Sequence, residues 1–254
     1  MTIALFSDIH ANLPALEACL QSIDAHAPDA VYCLGDLVGY NCWPNEVIAL
    51  IRQRGIPCIA GNYDEGIGLH SDECGCAYKS DEDRAMGKIS ISYTNHTVGD
   101  RERAFLRSLP ADIRIGFHTA EGPLQLLLVH GSPRRINEYL FEDRAEKSLL
   151  RILEGAHADI LCFGHTHKPW HRVLQSDSGQ LRHAVNTGSV GKPKDGDPRG
   201  GYVLLTIDPA HARTNPAAVA TQLVRFEYDV EAAARAIEES PLPDRYADML
   251  RKGY

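Results

Sequence analysis

Apolar runs of strand length alternate with segments of helical periodicity along the first two-thirds of the chain. The runs at 3–6, 31–34 and 56–60 are short and rich in aliphatic residues, which is typical of buried strands. Between them, 13–23 and 46–52 repeat apolar residues three and four positions apart, which predicts amphipathic helices. This order of strand, helix, strand, helix and strand is typical of a sheet with helices packed on its faces.

The alternation continues further along the chain and then changes character. The pattern predicts helices at 100–109 and 143–153 and strands at 124–129 and 159–163. After His167, four strand-like runs joined by turns predict a mainly antiparallel second half. These runs are 171–175, 181–185, 202–207 and 222–228, and two short helices follow at 230–239 and 243–251.

The helical and strand periodicity weakens between residues 62 and 95. Residues 66–83 are rich in Gly, Asp, Glu and Cys, which predicts a long loop, and loops of this length inside a compact domain are often functional. No repeat, low-complexity tract or linker divides the chain. We therefore expect a single domain over 1–254, with a loop insertion at about 66–99 and C-terminal helices at about 230–252.

Composition and charge narrow the classes of function. The 34 acidic and 26 basic side chains give a formal net charge of −8, which disfavours tight, sequence-independent binding to long nucleic acid. A small phosphorylated substrate is compatible with this charge, because bound metal ions can invert the local field. We expect a cytoplasmic protein with no membrane association, because no basic leader or membrane-length apolar run is present and three of the seven cysteines lie in apolar runs.

Residues able to ligate metals follow five of the predicted strands. The segments are Asp8-Ile9-His10, Gly35-Asp36, Gly61-Asn62-Tyr63-Asp64, His130-Gly131 and Gly164-His165-Thr166-His167. Each segment taken alone is common, although two histidines at i and i+2 of an extended chain point the same way. In an open α/β sheet, ligands gather at the carboxyl ends of strands, so the five segments together predict one site.

The donor types indicate which metals the site would bind. Carboxylate and amide oxygens occur together with imidazoles, and this mixture suits Mn, Fe, Zn or Co better than Ca or Mg alone. Seven donors are too many for one tetrahedral ion and suit two ions that share a bridging carboxylate. The predicted ligands are Asp8, His10, Asp36, Asn62, His130, His165 and His167.

This series of motifs resembles that of the calcineurin-like metallophosphoesterase superfamily, and the resemblance extends over the strand-rich segment to about residue 228. It implies a four-layer α/β/β/α sandwich of two mixed sheets flanked by helices. It also implies two divalent transition-metal ions and attack on phosphorus by a metal-bound hydroxide. Carried over residue by residue, one ion would take Asp8, His10, Asp36 and His167, and the other Asp36, Asn62, His130 and His165, with Asp36 bridging.

The sequence departs from the family pattern at Tyr63, where the family usually has a histidine that contacts the phosphate. A tyrosine with an ordinary pKa near 10 stays neutral at pH 7, so it can donate a hydrogen bond but is a weaker acid than imidazolium. We expect Tyr63 to position the phosphate, with a role as acid if the metals lower its pKa; packing in the pocket wall is the alternative. Asp64 is the neighbouring candidate for a catalytic or supporting role.

Other residues near these motifs are candidates for binding. Asn12 and Arg134 are predicted to contact substrate, and His171 is a candidate partner for the ligands. Cys74-Gly75-Cys76, near His70 and Asp72, could form a further metal or redox site, although one-residue spacing is poor for chelation by both thiols. A loop thiol with no role is the alternative.

The sequence therefore predicts a phosphatase or phosphodiesterase that acts on a small phosphomonoester or phosphodiester with two divalent ions. The alternative from another class is a non-catalytic scaffold or interaction protein of the same fold. Seven matched ligands speak against the scaffold, and the net charge and lack of a basic stripe speak against a nuclease on long nucleic acid.

Overall fold

The computed structural model describes residues 1–119, 122–208 and 215–254. Within these ranges nine strands form two sheets, and helices cover the outer faces of both. The strands are β1 (Thr2–Phe6), β2 (Ala30–Cys33), β3 (Asp112–Thr119), β4 (Gly122–Val129), β5 (Ile160–Phe163), β6 (Trp170–Gln175), β7 (Leu181–Asn186), β8 (Gly200–Ile207) and β9 (Val219–Phe226). The helices are α1 (Leu13–His26), α2 (Pro44–Gln53), α3 (Asn62–Gly68), α4 (Asp81–Thr97), α5 (Asp100–Ser108), α6 (Glu146–Gly155), α7 (Val230–Glu238) and α8 (Arg245–Lys252), with a 3₁₀ turn at Pro216–Ala218.

Both sheets are mixed. The first has the order β2-β1-β8-β9, with β1 parallel to β2 and antiparallel to β8. The second has the order β3-β4-β5-β7-β6, in which β4, β5 and β7 are parallel and the outer strands are antiparallel. The parallel strands in each sheet bring several carboxyl ends to one edge.

Alternate side chains of the strands face two different cores, an inner core between the two sheets and an outer core between each sheet and its helices. In β1, Ile3 and Leu5 pack between the two sheets, whereas Ala4 and Phe6 pack under the helices. In β4, Leu126 likewise faces the inner core and Leu127 faces α6. Successive side chains of a strand point to opposite faces, so each of these strands is buried on both sides. The predicted four-layer α/β/β/α sandwich is confirmed.

The outer layers differ between the two sheets. Helices α1, α2, α7 and α8 contribute Leu16, Ile48, Ile237 and Leu250 to the core over the first sheet. Helix α6 packs on the second sheet through apolar residues that include Leu149. No helix in the described part of the chain is both long and apolar enough to cross a membrane.

The strand predicted at 56–60 is wrong. This segment pairs with β2 at a single position, Cys33 with Cys58. Pro57 has no N–H to donate, and Ala60 N–H instead bonds the carbonyl oxygen of Pro110 at 2.8 Å. The segment therefore makes two backbone hydrogen bonds with Cys33 of β2 and then continues into α3.

The expected insertion at 66–99 is more ordered than its composition suggested. It forms a loop only until Ser80, whose hydroxyl accepts a hydrogen bond from Asp83 N–H at 3.0 Å and caps the 17-residue helix α4. Strand β3 was also missed, although Ile113, Ile115 and Phe117 alternate with exposed residues as in a half-buried edge strand.

A buried guanidinium joins helices α3, α4 and α5. Arg103 on α5 donates hydrogen bonds to the carbonyl of Ile67, to the carbonyl and side-chain oxygens of Asn95, and to the carbonyl of Val98. These acceptors lie at the ends of α3 and α4, where helix carbonyls have no partner within the helix. Arg103 therefore fixes the position of α3, whose first residue is Asn62.

Replacing Arg103 by methionine should lower the free energy of unfolding by about 3 kcal/mol, since it removes charge-assisted bonds and leaves buried carbonyls unpaired. Urea unfolding followed by circular dichroism measures the change. Arg101→Met, an exposed position on the same helix, should stay within about 0.5 kcal/mol of the parent protein. Equal losses in the two variants would show that the hydrogen bonds of Arg103 do not hold these helices.

Candidate metal centre

Side chains from the carboxyl ends of both sheets meet at one buried place. They form two groups, in each of which the ligand atoms lie within 4.8 Å of one another. The first group is Asp8, His10 and His167, and the second is Asp36, His130 and His165. All six side chains are buried, with at most 4% of their surface exposed. The structure thus brings together residues from β1, β2, β4 and β5, as the sequence predicted.

The first group aims three donor atoms at one point. Asp8 Oδ1 lies 3.2 Å from His167 Nε2 and 3.8 Å from His10 Nε2, and the two Nε2 atoms are 3.2 Å apart. Asp8 Oδ1 is buried and has no hydrogen-bond partner among the described residues. A buried carboxylate oxygen without a partner is costly, and a cation bound there would satisfy it.

Asp36 links the first group to the second. Its Oδ2 lies 3.6 Å from His10 Nε2 and 3.4 Å from His130 Nε2, so this one oxygen faces both groups. Asn62 Oδ1 lies 3.1 Å from His130 Nε2 and adds the amide oxygen predicted from the sequence. His165 Nε2 is buried without a partner in the described part of the chain.

Hydrogen bonds to backbone carbonyls fix the tautomer of three imidazoles. A carbonyl oxygen can only accept, so Nδ1 of each ring carries the proton and Nε2 keeps its lone pair for a metal. The Nδ1 atoms of His10, His130 and His167 bond the carbonyl oxygens of Val38, Leu34 and Lys192 at 3.0, 2.8 and 2.5 Å, respectively.

In each of the two carboxylates, Asp8 and Asp36, one oxygen accepts the hydrogen bonds that hold the side chain in place. Asp8 Oδ2 accepts hydrogen bonds from Ser7 Oγ at 2.5 Å and from His165 N–H at 3.0 Å. Asp36 Oδ1 accepts the backbone N–H of Tyr63 at 2.8 Å. The remaining oxygen of each carboxylate is left to face the imidazoles, which is the orientation that metal ligation requires.

Left-handed backbone is concentrated at the predicted ligands. Ten non-glycine residues in the described chain have positive φ, and five of them are ligands. These are Asp8, His10, Asp36, His165 and His167, with φ between 50° and 66°. This conformation costs on the order of 1–3 kcal/mol per residue and persists at functional sites where the surroundings determine it.

The protonation of the imidazoles follows from burial and from the carboxylates. Burial lowers the pKa of both His10 and His165 to about 3, so both rings are neutral and able to ligate. Burial alone would also lower the pKa of His130, but the adjacent Asp36 carboxylate outweighs it and raises the pKa to about 10. Without a cation, His130 therefore carries a second proton on Nε2, which faces Asp36; a cation bound there would take the place of that proton and leave Nε2 free to ligate.

The donor set fits two divalent ions. Oxygen and imidazole donors occur in both groups, Asp36 faces both, and the two orphaned atoms, Asp8 Oδ1 and His165 Nε2, belong one to each group. Glycine allows this close approach: a Cβ added to Gly164 would overlap Ser7 Oγ and Asp8 Oδ2. These observations favour the predicted ligand set over a structural role for the same residues.

Tyr63 and Asp64 lie beside the ligands in different surroundings. The Tyr63 ring packs edge-on against His10, with centroids 5.4 Å apart, and its buried hydroxyl has no hydrogen-bond partner among the described residues. Asp64 accepts the backbone N–H groups of Leu37 and Gly61 at 2.8 and 2.9 Å and is fully buried. Both its oxygens hold the loops that carry Asp36 and Asn62, which fits the supporting role given among the expectations, and a catalytic role for Asp64 stays a prediction.

The two predicted substrate contacts differ in their surroundings. Asn12 is fully buried, caps α1 by accepting Ala15 N–H at 3.2 Å, and donates to the Gly191 carbonyl at 2.9 Å. These bonds give Asn12 a part in holding the fold, and its contact with substrate stays a prediction. Arg134 is half exposed and paired with Glu138 in a cavity near the site, so its substrate contact stays a prediction.

The remaining candidates, His171, Cys74 and Cys76, lie outside the two metal groups. His171 bonds Thr221 at 2.8 Å and His183 at 3.1 Å, and among the described residues it has no hydrogen bond to a predicted ligand. Cys74 and Cys76 belong to no group of metal-capable side chains in the described chain, and burial raises the pKa of both thiols. They instead lie against a ligand. Asn62 Nδ2 donates to the Cys74 carbonyl at 2.7 Å and lies 3.6 Å from Cys76 Sγ.

Several buried polar residues that hold the ligand loops were not predicted. Ser189 Oγ donates to the carbonyl of Asp8 at 2.7 Å, Asn41 donates to the carbonyl of His10 at 2.7 Å, and Asn186 donates to the carbonyl of Gly164 at 2.8 Å. Asn186 ends β7 as the ligand motifs end their strands, so the same strand-end signal could have identified it.

A metallophosphoesterase architecture is defined by two mixed sheets that bring carboxylates, imidazoles and an amide together at one edge. The chain belongs to the calcineurin-like phosphoesterase superfamily, because the profile of that superfamily's domain matches residues 1–210.

Relatives extend over the whole chain. The uncharacterized protein MJ0912 of Methanocaldococcus jannaschii is 30% identical and aligns with 99% of this chain and 98% of its own length. A crystal structure of a metallophosphoesterase from Sphaerobacter thermophilus is similar at 28% identity and a TM-score of 0.73, covering 100% of this chain and 99% of that one. The hypothetical protein PH1004 of Pyrococcus horikoshii OT3, at 21% identity, has the same fold with a TM-score of 0.78, covering 100% and 98%.

The two ligand groups predict a stepwise loss of metal. The parent protein reconstituted with Mn²⁺ should hold about two ions per chain, and His165→Ala should hold about one, because His165 belongs to the second group alone. Asp36→Asn should weaken both sites, since Asp36 Oδ2 faces both groups. Elemental analysis after removal of free metal measures the stoichiometry.

His96→Ala, an exposed histidine on α4, is the matched control and should leave the metal content unchanged. An unchanged metal content in His165→Ala would exclude this residue as a ligand. Loss of all metal in His165→Ala but none in Asp36→Asn would contradict the bridging position of Asp36.

Proposed function

We propose that the protein is a dinuclear-metal phosphoesterase that hydrolyses a small phosphomonoester or phosphodiester. The observation that carries the proposal is the position of Asp36 Oδ2, within 3.6 Å of His10 Nε2 and 3.4 Å of His130 Nε2. One carboxylate oxygen shared by two groups of donors is the arrangement that holds two ions close together. Membership of the calcineurin-like phosphoesterase superfamily supports the same reaction class.

Two divalent ions, when bound, supply a water of lowered pKa and positive charge for the phosphate. Asp8 and Asp36 balance about half of that charge, which leaves an electropositive site for an anionic ester. His10, His165 and His167 are neutral ligands and add no negative charge. The site would therefore attract phosphate although the protein as a whole has a formal net charge of −8.

Tyr63 suits the role of a hydrogen-bond donor to the phosphate. Burial raises its pKa well above the usual value, so the hydroxyl keeps its proton at neutral pH. The hydroxyl has no partner among the described residues and is free to donate to a substrate oxygen. Because this group is a poor general acid, esters whose leaving groups need little protonation, such as aryl esters and some diesters, should react fastest.

The proposed reaction can be tested with p-nitrophenyl phosphate and bis-p-nitrophenyl phosphate. The metal-stripped protein should be inactive, and added Mn²⁺ should restore release of p-nitrophenol. Asp36→Asn should lower kcat by at least about 100-fold, because it removes charge that positions both ions. Initial rates at saturating substrate measure the effect.

The His96→Ala variant should keep full activity. No turnover of either ester by protein with about two bound ions would instead favour a non-catalytic scaffold of this fold. Turnover that survives both metal removal and Asp36→Asn would exclude the two-metal reaction.

Tyr63→Phe should lower kcat/KM for bis-p-nitrophenyl phosphate by about tenfold, the effect of losing one hydrogen bond to a charged group. Steady-state kinetics on the Mn²⁺-loaded protein give the comparison. Tyr202→Phe is the control, since Tyr202 is also buried but its hydroxyl bonds Ser22 and His26. An unchanged kcat/KM in Tyr63→Phe would indicate that the ring only packs against His10.

A further inference from the structure

A second cavity opens beside the candidate metal centre and is lined by lysines and tyrosines. Its volume is about 220 Å³, and its walls include Tyr40, Tyr139, Lys79, Lys192 and Lys194. None of these residues was singled out from the sequence. Lys192 and Lys194 lie in the loop between β7 and β8, within the short segment Gly191-Lys192-Pro193-Lys194.

The walls of this cavity contact ligands of both metal groups. The ring of Tyr40 packs edge-on against His10, with centroids 4.8 Å apart. On the other side, the ring of Tyr139 lies 4.1 Å from that of His165. A group bound in the cavity would therefore be a neighbour of whatever the metals bind, not an occupant of a remote site.

The loop carrying the lysines is tied directly to the first metal group. The carbonyl of Lys192 accepts the Nδ1–H of His167 at 2.5 Å, and Lys194 N–H donates to the carbonyl of His167 at 3.3 Å. The same backbone that orients a metal ligand thus places two ammonium groups in the adjacent cavity.

Lys192 is a buried amine without a carboxylate partner among the described residues, and burial lowers its pKa well below the usual value. Only 4% of its surface is exposed, and its Nζ lies 3.5 Å from Met249 Sδ and 4.8 and 5.6 Å from the rings of Tyr40 and Tyr246. Among the described residues, no ion pair involves Lys192, and the same holds for Lys79 and Lys194. A desolvated ammonium satisfied only by a thioether and aromatic faces is costly, and an anionic ligand would offset the cost.

The lysines are better placed to bind an anion than the arginine predicted from the sequence. Arg134 is already paired with Glu138, which neutralises its charge. The cavity with the lysines includes one acidic side chain, Asp83, against three ammonium groups. Basic side chains therefore outnumber acidic ones in this cavity, and a bound anion would favour their charged forms.

Resting on the proposed function, we infer that Lys192 and Lys194 bind a second anionic group of the substrate while the metals hold the scissile phosphate. The substrate class is then a small phosphate ester that carries a further phosphate or carboxylate. A cavity of about 220 Å³ is smaller than the roughly 300–1,000 Å³ typical of sites for drug-sized ligands, so it suits a compact charged group rather than a nucleoside.

Three small probes with the same carbon backbone test the inference: glycerol 3-phosphate, 3-phosphoglycerate and 2,3-bisphosphoglycerate. Their Kd values are measured by calorimetry on the Mn²⁺-loaded protein, with inhibition of bis-p-nitrophenyl phosphate hydrolysis as a second readout. The bisphosphate should bind at least about tenfold more tightly than glycerol 3-phosphate, the effect of one charge-assisted contact. Because 2,3-bisphosphoglycerate also carries a carboxylate, equally tight binding of 3-phosphoglycerate would identify the second group as a carboxylate.

The preference should depend on the two lysines. In the double variant Lys192→Met/Lys194→Gln, the Kd of glycerol 3-phosphate should exceed that of the bisphosphate by about twofold or less. Lys194→Arg should keep most of the preference for the bisphosphate, because the positive charge remains. Lys147→Met, an exposed position on α6, should leave this preference unchanged. Lys192→Met alone should raise the Tm by about 2 °C or more, because it replaces a desolvated amine that has no polar partner by an apolar side chain.

Equal Kd values for the three probes, or a preference that survives the double substitution, would overturn the inference. If the double variant does not fold, Lys194→Gln alone gives the answer, because this side chain is only partly buried. If the protein hydrolyses p-nitrophenyl esters but binds the three probes equally, the lysine site is refuted and the proposed function stands. If the bisphosphate binds in a lysine-dependent way but no ester is hydrolysed, the lysine site stands and the proposed function is refuted.

Discussion

The organisation of the molecule depends on burying two carboxylates against four imidazoles at the edge where its two sheets meet. Asp36 is the centre of this arrangement, since one of its oxygens faces His10 from the first group and His130 from the second. In the absence of cations such a cluster is unfavourable, because Asp8 Oδ1 and His165 Nε2 remain buried and unpaired. The fold must therefore hold these side chains in place at a cost in stability, and the inner core between the sheets supplies the rigid frame that does so.

The cost is visible in the backbone as well as in the side chains. Five predicted ligands adopt left-handed conformations that residues with a Cβ rarely take, and each is held by bonds from a neighbouring loop. Asp8 illustrates this: its side chain accepts from Ser7 and its carbonyl from Ser189. Because these supports come from both sheets, a shift of one sheet against the other would separate the two metal groups. The inner core is thus coupled to the geometry of the site.

The elements best predicted from the sequence are those in which local pattern and tertiary position agree. β1 and β5 are buried on both faces, so their apolar runs alone predict them. The ligands that follow them could be predicted because the carboxyl ends of parallel strands lie at the same edge of a sheet. The run at 56–60 is also apolar, but Pro57 has no N–H to donate to a neighbouring strand. The segment pairs with β2 at one position only, and this is seen in the structure rather than in the apolar pattern. The surroundings of Asn12 and Lys192 could not be predicted for a related reason: their contacts, with Gly191 and Tyr40 respectively, join residues more than a hundred positions apart in the sequence.

The proposed chemistry and the proposed selection of a substrate depend on different parts of the fold. The groups that would act on phosphorus come from strand ends whose positions both sheets fix, whereas the cavity beside them is walled by the Lys192 loop, by Tyr139 and by Tyr246 of α8. Loops and terminal helices can change without disturbing the inner core, so this wall is where related chains can differ in specificity while keeping the same ligands. Tyr63 lies between the two regions, with its ring against both His10 and Tyr40. A neutral donor at that position, in place of an imidazole, avoids placing a further cation between the metal site and the lysines, and so leaves both available to a substrate with two negative charges.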